Sequence, residues 1–484
     1  MKLKLMAISL IALLMLSCIG ISCVSANDTV KTNNSIEQAY RNVAYFTSWS
    51  GYQRAEEVGD INPSLLTHIN FAFANLSADG TITVGDPWID TQKPYGDDTW
   101  ETELKGHFGQ LIKLKQQYPH IKTVISVGGW TWSKNFSDVA ASDMLRKACA
   151  RSAVDFIVEY GFDGVDLDWE FPVQGGDNIP HRANDGDNYI LLLKEIRTAL
   201  DAQGEKDGKE YLLSIAGASD AKFIANCKVA EMMKYLDYIN VMTYDYHGTW
   251  DSITNHNTPL YADSGNPCVS TTIVNYIAAG AEPADLNLGL AFSGKGWVNV
   301  TDLNGSGLYK SGTAPSSAGY GSGTFEAAVF DYWDIAENYV GKNNYMRYWD
   351  EVAKVPYLYN RSTFITYEDE ESIGCKADYI KKMGLGGAMF WELSYDKYSV
   401  LQNVIAQSLN INKVPEVVLY FGDANEDGVL DAIDFALLKS FLLGKGTLQN
   451  MAIADVNNDG NVDALDLTNF KMILLEKSVP KPFN

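Results

Sequence analysis

The stretch Asp163-Gly164-Val165-Asp166-Leu167-Asp168-Trp169-Glu170 decides the fold. In an extended strand, residues two apart share a face, so Asp166, Asp168 and Glu170 line one side and the apolar residues between them line the other. Crowded carboxylates push each other's pKa values apart, so one of them can stay protonated at neutral pH and donate a proton. Because close apolar neighbours flank these acids and Phe171-Pro172 ends the run, the pattern favours a catalytic strand over an acidic surface strand.

Similar short apolar runs recur along the chain, and this stretch is the fourth of eight. The runs are Val43–Ser48, His68–Ala74, Thr123–Val127, Gly164–Trp169, Tyr211–Ala216, Tyr238–Thr243, Leu286–Phe292 and Gly387–Trp391. Segments with apolar residues three and four apart lie between several of them, at Gly109–Tyr118, Ala140–Tyr160 and Tyr189–Ala202. Buried strands that alternate with helices indicate a parallel sheet, and eight strands close a (β/α)8 barrel.

The interval between the last two runs is too long for a single helix. Residues 293–383 contain Gly/Ser-rich turns, a helix near Glu371–Met383, and strand-like pieces at Thr324–Tyr332, Tyr345–Trp349 and Thr363–Tyr367. We therefore predict a small α+β insertion on the barrel rim, between the seventh and eighth strands.

Length and charge limit the class of protein. The chain has 484 residues, which suggests one large domain and a smaller one, and its net charge of −23 argues against nucleic-acid binding. Residues 1–26 have a basic start, an apolar stretch and a small-residue end at Val24-Ser25-Ala26, as in a secretory signal peptide; an uncleaved anchor is the alternative. No later segment reaches 18 consecutive apolar residues, so we expect a secreted, extracellular protein without a membrane span in its mature chain.

The cysteines that follow the leader show no metal-ligand spacing. We interpret them as free buried thiols, with one disulfide as the alternative; they are Cys149, Cys227, Cys268 and Cys375.

A twelve-residue pattern occurs twice near the carboxyl terminus. Its oxygen-bearing positions 1, 3, 5, 9 and 12, with glycine at position 6 and a backbone carbonyl at position 7, are those of a calcium loop. The predicted ligands are Asp423, Asn425, Asp427, Val429, Asp431 and Asp434 in the first copy, and Asp455, Asn457, Asp459, Asn461, Asp463 and Asp466 in the second. Apolar helices follow at Phe435–Leu443 and Leu467–Leu475, so we predict a small α-helical domain that depends on two Ca²⁺ ions.

These repeats, at about residues 422–478, closely resemble a type I dockerin, the module that attaches enzymes to a cellulosome scaffold by binding a cohesin. The resemblance implies that loop positions 10 and 11, Ala432-Ile433 and Ala464-Leu465, set cohesin choice through a mainly hydrophobic contact. Packing against the neighbouring helix is the alternative. The predicted domains are a signal peptide at 1–26, a catalytic barrel at 27–410, a linker at 411–421 and the dockerin at 422–484.

The opening stretch resembles the Asp-x-x-Asp-x-Asp-x-Glu signature of glycoside hydrolase family 18 chitinases. Three more stretches agree in the family's order: Ser126-Val127-Gly128-Gly129, Met242-Thr243-Tyr244-Asp245 and Ala388-Met389-Phe390-Trp391. The resemblance covers roughly residues 41–410. It implies a retaining hydrolysis in which the N-acetyl oxygen of the substrate attacks the anomeric carbon, with no cofactor for catalysis.

The resemblance also implies a role for each site residue. Glu170 would act as general acid and then base, Asp168 would orient the acetamido group, and Asp166 would share a proton with Asp168. Tyr244 and Asp245 would hold the acetamido group and sugar hydroxyls. The expected substrate-binding residues are Trp391, Trp130, Gly129, Met242, Tyr45 and Phe73. Core packing is the alternative for Tyr244 and for the aromatic members of this set, and a structural turn is the alternative for Gly129.

One motif departs from the family. Where the seventh strand often carries Phe-Tyr-Gly-Arg, this chain has Phe292-Ser293-Gly294-Lys295, which lacks the aromatic ring and the bidentate fork. We expect this change to affect substrate preference and to leave activity intact.

The leading hypothesis is a secreted chitinase that cuts chitin or chitooligosaccharides, with internal cleavage favoured over cleavage at chain ends, and that binds a cohesin. The alternatives are an endo-β-N-acetylglucosaminidase, which usually lacks the rim insertion, and a non-catalytic chitin-binding lectin, in which the last acid of the signature is typically replaced.

Overall fold

The structure is a computed structural model that describes residues 40–96, 98–99, 101–263, 265–412, 420–425, 430–448 and 450–475. The predicted signal peptide, most of the predicted linker, and the predicted ligands Asp427 and Val429 lie outside these residues. Across the part of the chain that is described, no helix has both the length and the apolar character needed to span a bilayer.

Eight parallel strands close into a barrel, as predicted. In chain order the strands are β1 Arg41–Thr47, β2 His68–Leu76, β3 Ile82–Thr83, β4 Lys122–Gly128, β5 Gly164–Asp168, β6 Leu212–Ala218, β7 Tyr238–Met242, β8 Leu286–Ala291, β9 Ser293–Trp297, β10 Val329–Asp331, β11 Met346–Asp350, β12 Val355–Tyr359, β13 Phe364–Thr366 and β14 Gly387–Trp391. The barrel runs β1-β2-β4-β5-β6-β7-β8-β14, and β14 pairs with β1 to close it. Each of the eight predicted apolar runs overlaps one of these strands.

Helices cover the outside of the barrel and form the carboxyl-terminal domain. They are α1 Gly106–Gln117, α2 Phe136–Ala141, α3 Asp143–Tyr160, α4 Asp185–Asp207, α5 Ala221–Asn226, α6 Val229–Met232, α7 Val269–Ala278, α8 Tyr332–Asp334, α9 Glu370–Met383, α10 Val400–Ser408, α11 Ala432–Leu442, α12 Met451–Ala454 and α13 Ala464–Leu474. The helix predicted over 140–160 is interrupted at Ser142, which has extended backbone and whose hydroxyl accepts the Leu145 N–H to cap α3.

The two faces of β5 have different neighbours, as the alternation of its residues requires. The Trp169 ring, which follows β5 on its apolar face, is fully buried and stacks on Phe136 at 5.4 Å, with Tyr189 at 5.0 Å. At the start of the strand, the Asp163 carboxylate accepts hydrogen bonds from the Thr123 N–H and the Lys115 ammonium, both at 2.9 Å. The acidic face is therefore left to line the barrel interior.

The predicted rim insertion contains a five-stranded antiparallel sheet, in the order β10-β9-β13-β12-β11, between β8 and β14. Two of its strands, β9 and β12, were not predicted, because Gly294 and Gly296 in β9 and Pro356 in β12 are residue types that strands usually avoid. Arg54, in the segment after β1, binds Asp331 of β10 with two hydrogen bonds of 2.9 and 3.0 Å. This pair ties the insertion to the barrel rim.

The carboxyl-terminal helices enclose a small core of their own. Its buried members are Leu438, Ala454, Val456 and Phe470. Ile433 and Leu465, the apolar residues at loop position 11, are 57% and 58% exposed, so they are available for an external contact rather than buried against a neighbouring helix. All four cysteines named above are free thiols; three are buried as predicted, and Cys375 is only half-buried.

Candidate active site

Asp166 forms the deepest part of the site, inside the barrel. Its carboxylate accepts hydrogen bonds from Tyr45 Oη at 2.8 Å, Ser126 Oγ at 2.7 Å, Ser214 Oγ at 2.6 Å and Asn240 Nδ2 at 3.4 Å. Strand register explains part of this ring, since Asp166 pairs with Ser126 of β4 and with Ser214 of β6. Burial raises the pKa of Asp166, and these donors oppose the rise.

Asp168 and Glu170 continue the acidic face from the interior to the mouth. Burial, then the charges of Glu170 and Asp166, raise the pKa of Asp168 well above its usual range. Burial first and the charge of Asp245 second raise the pKa of Glu170 to about 8. Asp168 Oδ1 is buried and accepts no hydrogen bond from any residue that the structure describes. The raised pKa of Glu170 favours its protonated form at neutral pH, and the neighbouring Asp168 Oδ1 can accept a hydrogen bond from a ligand.

The turn after β4 brings backbone close to this acidic strand. The Gly129 N–H donates to the Asp168 carbonyl at 2.8 Å, and Ser133 Oγ accepts the Glu170 N–H at 2.9 Å. Gly129 has φ +82°, and a Cβ there would lie 2.6 Å from the Phe73 ring. Glycine is needed at this turn for its left-handed backbone and for the close approach of Phe73.

The segment after β7 carries the next two predicted residues. Tyr244 Oη lies 3.8 Å from Met389 Sδ, and Asp245 has φ +56°. The Asp245 carboxylate accepts Asn257 Nδ2 at 2.8 Å and lies 3.3 Å from Lys295 Nζ. Lys295 belongs to the seventh-strand motif that differs from the family pattern. The chain therefore keeps a cation at this position, but without the bidentate fork of an arginine.

Aromatic rings form one wall of the mouth around Trp391. The Trp391 ring lies 5.8 Å from Phe73, nearly parallel to it, and 5.5 Å from Tyr45. Met242 packs against the same cluster. Tyr45 and Phe73 are themselves buried, so they support the Trp391 ring and Asp166 from beneath.

Two exposed tryptophans that sequence reasoning did not single out follow the ends of barrel strands. Trp49, 43% exposed, lies 6.3 Å from Trp391, and Trp250, 60% exposed, follows Asp245 in the loop after β7. The predicted Trp130, 51% exposed, lies in the loop after β4, 6.4 Å from Phe171. All three tryptophans share a feature that is visible in the sequence: each follows shortly after the end of a barrel strand.

The raised pKa of Glu170 leads to a pH prediction. Only the protonated carboxyl can donate, so kcat/KM should be full below pH 8 and fall as the pH rises through about 8. Asp245→Asn removes a like charge and should move this alkaline limb to lower pH. The measurement is a pH profile on a soluble fluorogenic oligosaccharide, with Asp155→Asn on the exposed face of α3 as the control. An unmoved limb in the Asp245 variant would contradict the electrostatic link.

The carboxyl-terminal loops present oxygen groups suited to calcium. Asp434 and Asp466, at position 12, are buried and accept backbone N–H groups of their own loops, including Asn425 and Asn457 at 3.1 Å. Burial first, and also the charge of Asp423, raise the pKa of Asp434. A divalent cation would offset such buried like charges, and oxygen donors match calcium.

Within the described ranges, no group of three or more His, Cys, Asp or Glu side chains is arranged to hold a metal. The first loop's positions 5 and 7 fall outside those ranges, and in the second loop Asp455 accepts the N–H groups of Asp459 at 3.0 Å and Gly460 at 2.7 Å. The carboxylate and amide oxygens of the two loops are nevertheless of the kind that Ca²⁺ prefers, and the loop residues that would hold the ions stay a prediction.

A (β/α)8 barrel whose fourth barrel strand leads into Glu170, a carboxyl with its pKa raised to about 8, next to an aromatic wall, has the features of a glycoside hydrolase. The chain belongs to glycosyl hydrolases family 18, which it matches over residues 41–396, and a type I dockerin domain matches residues 421–475. These matches confirm the resemblances inferred from the motifs.

Curated relatives and solved structures agree with this assignment. Chitinase A1 of Niallia circulans is 46% identical over 414 residues, spanning 77% of this chain and 58% of that protein. Endochitinase 1 of Metarhizium robertsii is 35% identical, spanning 77% of this chain and 85% of that protein. The structure of chitinase ChiA74 from Bacillus thuringiensis is similar with a TM-score of 0.71 and 40% identity, over 77% of this chain and 70% of that one.

Proposed function

We propose that this enzyme hydrolyses β-1,4 linkages between N-acetylglucosamine units of chitin, with retention of configuration. The observation that carries the proposal is the buried Asp168 Oδ1, which has no hydrogen-bond partner among the described residues. Asp168 follows Asp166, whose carboxylate already accepts several hydrogen bonds from the protein, and precedes Glu170, whose pKa is raised to about 8. An acetamido N–H is a donor of the kind this oxygen needs, because a buried acceptor without a partner is costly.

The same arrangement supplies the chemical steps. Glu170 donates its proton to the glycosidic oxygen as that bond breaks, while the acetamido oxygen of the substrate attacks the anomeric carbon. Asp168 accepts a hydrogen bond from the N–H of the oxazolinium ion and stabilises its positive charge. Asp166, the next acid along the strand, shares a proton with Asp168. Glu170, now ionised, takes a proton from water, which opens the oxazolinium from the face that the leaving group left. Two inversions give overall retention.

The aromatic wall fits a sugar chain. Pyranose faces carry C–H groups that pack on aromatic rings, so Trp391 would floor the subsite before the scissile bond and Trp130 the one after it. The exposed Trp49, 6.3 Å from Trp391, adds to the surface on the Trp391 side. We propose internal cleavage because the Trp391 and Trp130 rings would hold sugars on both sides of the scissile bond.

The attachment of the enzyme is also a proposal. The type I dockerin match supports binding to a cohesin of a scaffold protein, and the leader at residues 1–26 supports secretion. On this view the mature protein is a barrel at 27–410, a linker at 411–421 and a dockerin at 422–484 that holds two Ca²⁺ ions.

Product analysis on chitooligosaccharides of increasing length tests the function. We expect initial products with the β-anomeric configuration, detected by proton NMR before mutarotation, and cuts away from the chain ends in the longer substrates. Initial α-anomers would overturn the retaining mechanism. Release of N-glycan cores with no cleavage of chitooligosaccharides would instead favour the endo-β-N-acetylglucosaminidase.

A further inference from the structure

Behind the Tyr244-Asp245 segment lies a buried pair of opposite charges that the chemical steps do not use. Lys376 of α9 contacts the Glu368 carboxylate, and both side chains are almost completely inaccessible. The Lys376 ammonium also donates to the carbonyl and to the hydroxyl of Thr258, both at 2.7 Å. An ammonium has three donors, and here it meets three acceptors.

The contact with Thr258 continues toward the active site. Because a lysine ammonium only donates, Thr258 Oγ1 must accept from it and turn its own hydrogen elsewhere. That hydrogen goes to the Thr243 carbonyl at 2.7 Å, immediately before Tyr244. By donating to Thr258 Oγ1, Lys376 orients this hydroxyl so that its hydrogen points at the Thr243 carbonyl, which holds the backbone next to a proposed substrate-binding residue.

Asn257, the residue before Thr258, holds the other end of the same segment. Its side-chain amide, Nδ2, donates to Asp245 Oδ1 at 2.8 Å and to the His247 carbonyl at 3.1 Å. The backbone N–H of Asn257 donates to Thr366 Oγ1 of β13 at 3.0 Å. Asn257-Thr258 is therefore a two-residue strap, fixed from behind by Lys376 and β13, that contacts the proposed catalytic segment on both sides of Tyr244.

Outside the strap, the Thr243 hydroxyl donates to the Gly289 carbonyl at 2.7 Å, and Lys295 Nζ lies 3.3 Å from the Asp245 carboxylate. The strap adds a third backbone contact, because the Asn257 carbonyl accepts the Tyr246 N–H at 3.0 Å. Tyr244 Oη contacts only the Met389 sulfur among the hydrogen bonds of the described residues, and Asp245 is exposed with a left-handed backbone. A buried ion pair is also a weak source of stability, because desolvation of both charges opposes their attraction. The placement of the pair behind the strap points to a role in positioning the strap.

We propose that Lys376, with Glu368 as its counter-ion, is a positioning residue for the hydrolysis: it holds Tyr244 and Asp245 in register with Glu170 through the Asn257-Thr258 strap. The proposal rests on the substrate-binding roles proposed above for Tyr244 and Asp245. Misplacement of such groups by about 1 Å can cost on the order of 100-fold in rate.

The test compares full-chain variants that separate charge, hydroxyl and fold. Lys376→Met with Glu368→Gln removes the pair without leaving an unpaired buried charge; Thr258→Val removes only the hydroxyl, and Thr258→Ser keeps it. We expect kcat per folded molecule to fall by about tenfold or more in the double variant and in Thr258→Val, with a much smaller change in KM, and to be retained in Thr258→Ser. Combining the double variant with Thr258→Val should add little, because all three residues act through one path.

Folded fraction is measured for each variant by near-ultraviolet circular dichroism. An unchanged kcat per folded molecule in the double variant would overturn the proposal and leave the pair a purely structural contact. Equal losses in Thr258→Val and Thr258→Ser would also overturn it. Tyr244→Phe and Asp245→Asn are assayed in parallel; full kcat in both would refute their proposed roles instead, which separates the two failures.

Discussion

Glu170→Gln is expected to lower kcat by about 100- to 10,000-fold, the range that a positioned general acid contributes. The amide keeps nearly the same shape and can still donate a hydrogen bond, but it cannot transfer a proton to the glycosidic oxygen. Substrate affinity should change little, because Trp391 and Asp168 are untouched. The measurement is release of fluorophore from a labelled chitooligosaccharide, with binding of the unlabelled sugar followed by calorimetry.

Glu159→Gln is the matched control, because it makes the same substitution at an exposed position of α3. It should leave both kcat and KM unaltered. Undiminished turnover by Glu170→Gln would remove Glu170 from the role of acid. Binding without any turnover by the unmutated enzyme would favour the lectin alternative, in spite of the intact acidic signature.

The alternation along β5 predicted the barrel and the site together because two requirements coincide there. The apolar residues of one face must be covered by helices, as Trp169 is by Phe136 and Tyr189. The acids of the other face must then share the barrel interior, which is how Asp166 and Asp168 come to be buried. A period of two in sequence thus specifies both packing and chemistry.

Contacts that depend on register between distant strands could not be predicted in this way. Ser214 and Asn240 bind Asp166 from 48 and 74 residues away, and nothing local to either residue indicates this partner. The Asn257-Thr258 strap lies in a loop without periodic pattern, so only the folded chain shows what it contacts. Non-proline cis peptide bonds at Ala72–Phe73, Glu170–Phe171 and Trp391–Glu392 likewise follow no pattern of residue types.

Removal of calcium is expected to unfold the carboxyl-terminal domain and abolish binding to a type I cohesin, while hydrolysis by the barrel continues. The buried core of this domain consists of a few side chains around Leu438 and Phe470, too little apolar area to fold it alone. A bound ion at a thousand times its Kd would stabilise the folded state by about 4 kcal/mol. The free energy contributed by two such ions is comparable to the whole free energy of unfolding of a small domain.

The measurement uses the full chain, with scanning calorimetry and cohesin binding before and after chelation and after calcium is restored. Asp434→Ala and Asp466→Ala each remove position 12 of one loop, so each should lose one of two calcium equivalents in a titration. Asp155→Ala, on α3 of the barrel, should lose neither. A chelated chain that keeps its cohesin affinity would contradict the calcium dependence. If each loop variant still bound two equivalents, the ligands would lie elsewhere than in the predicted loops.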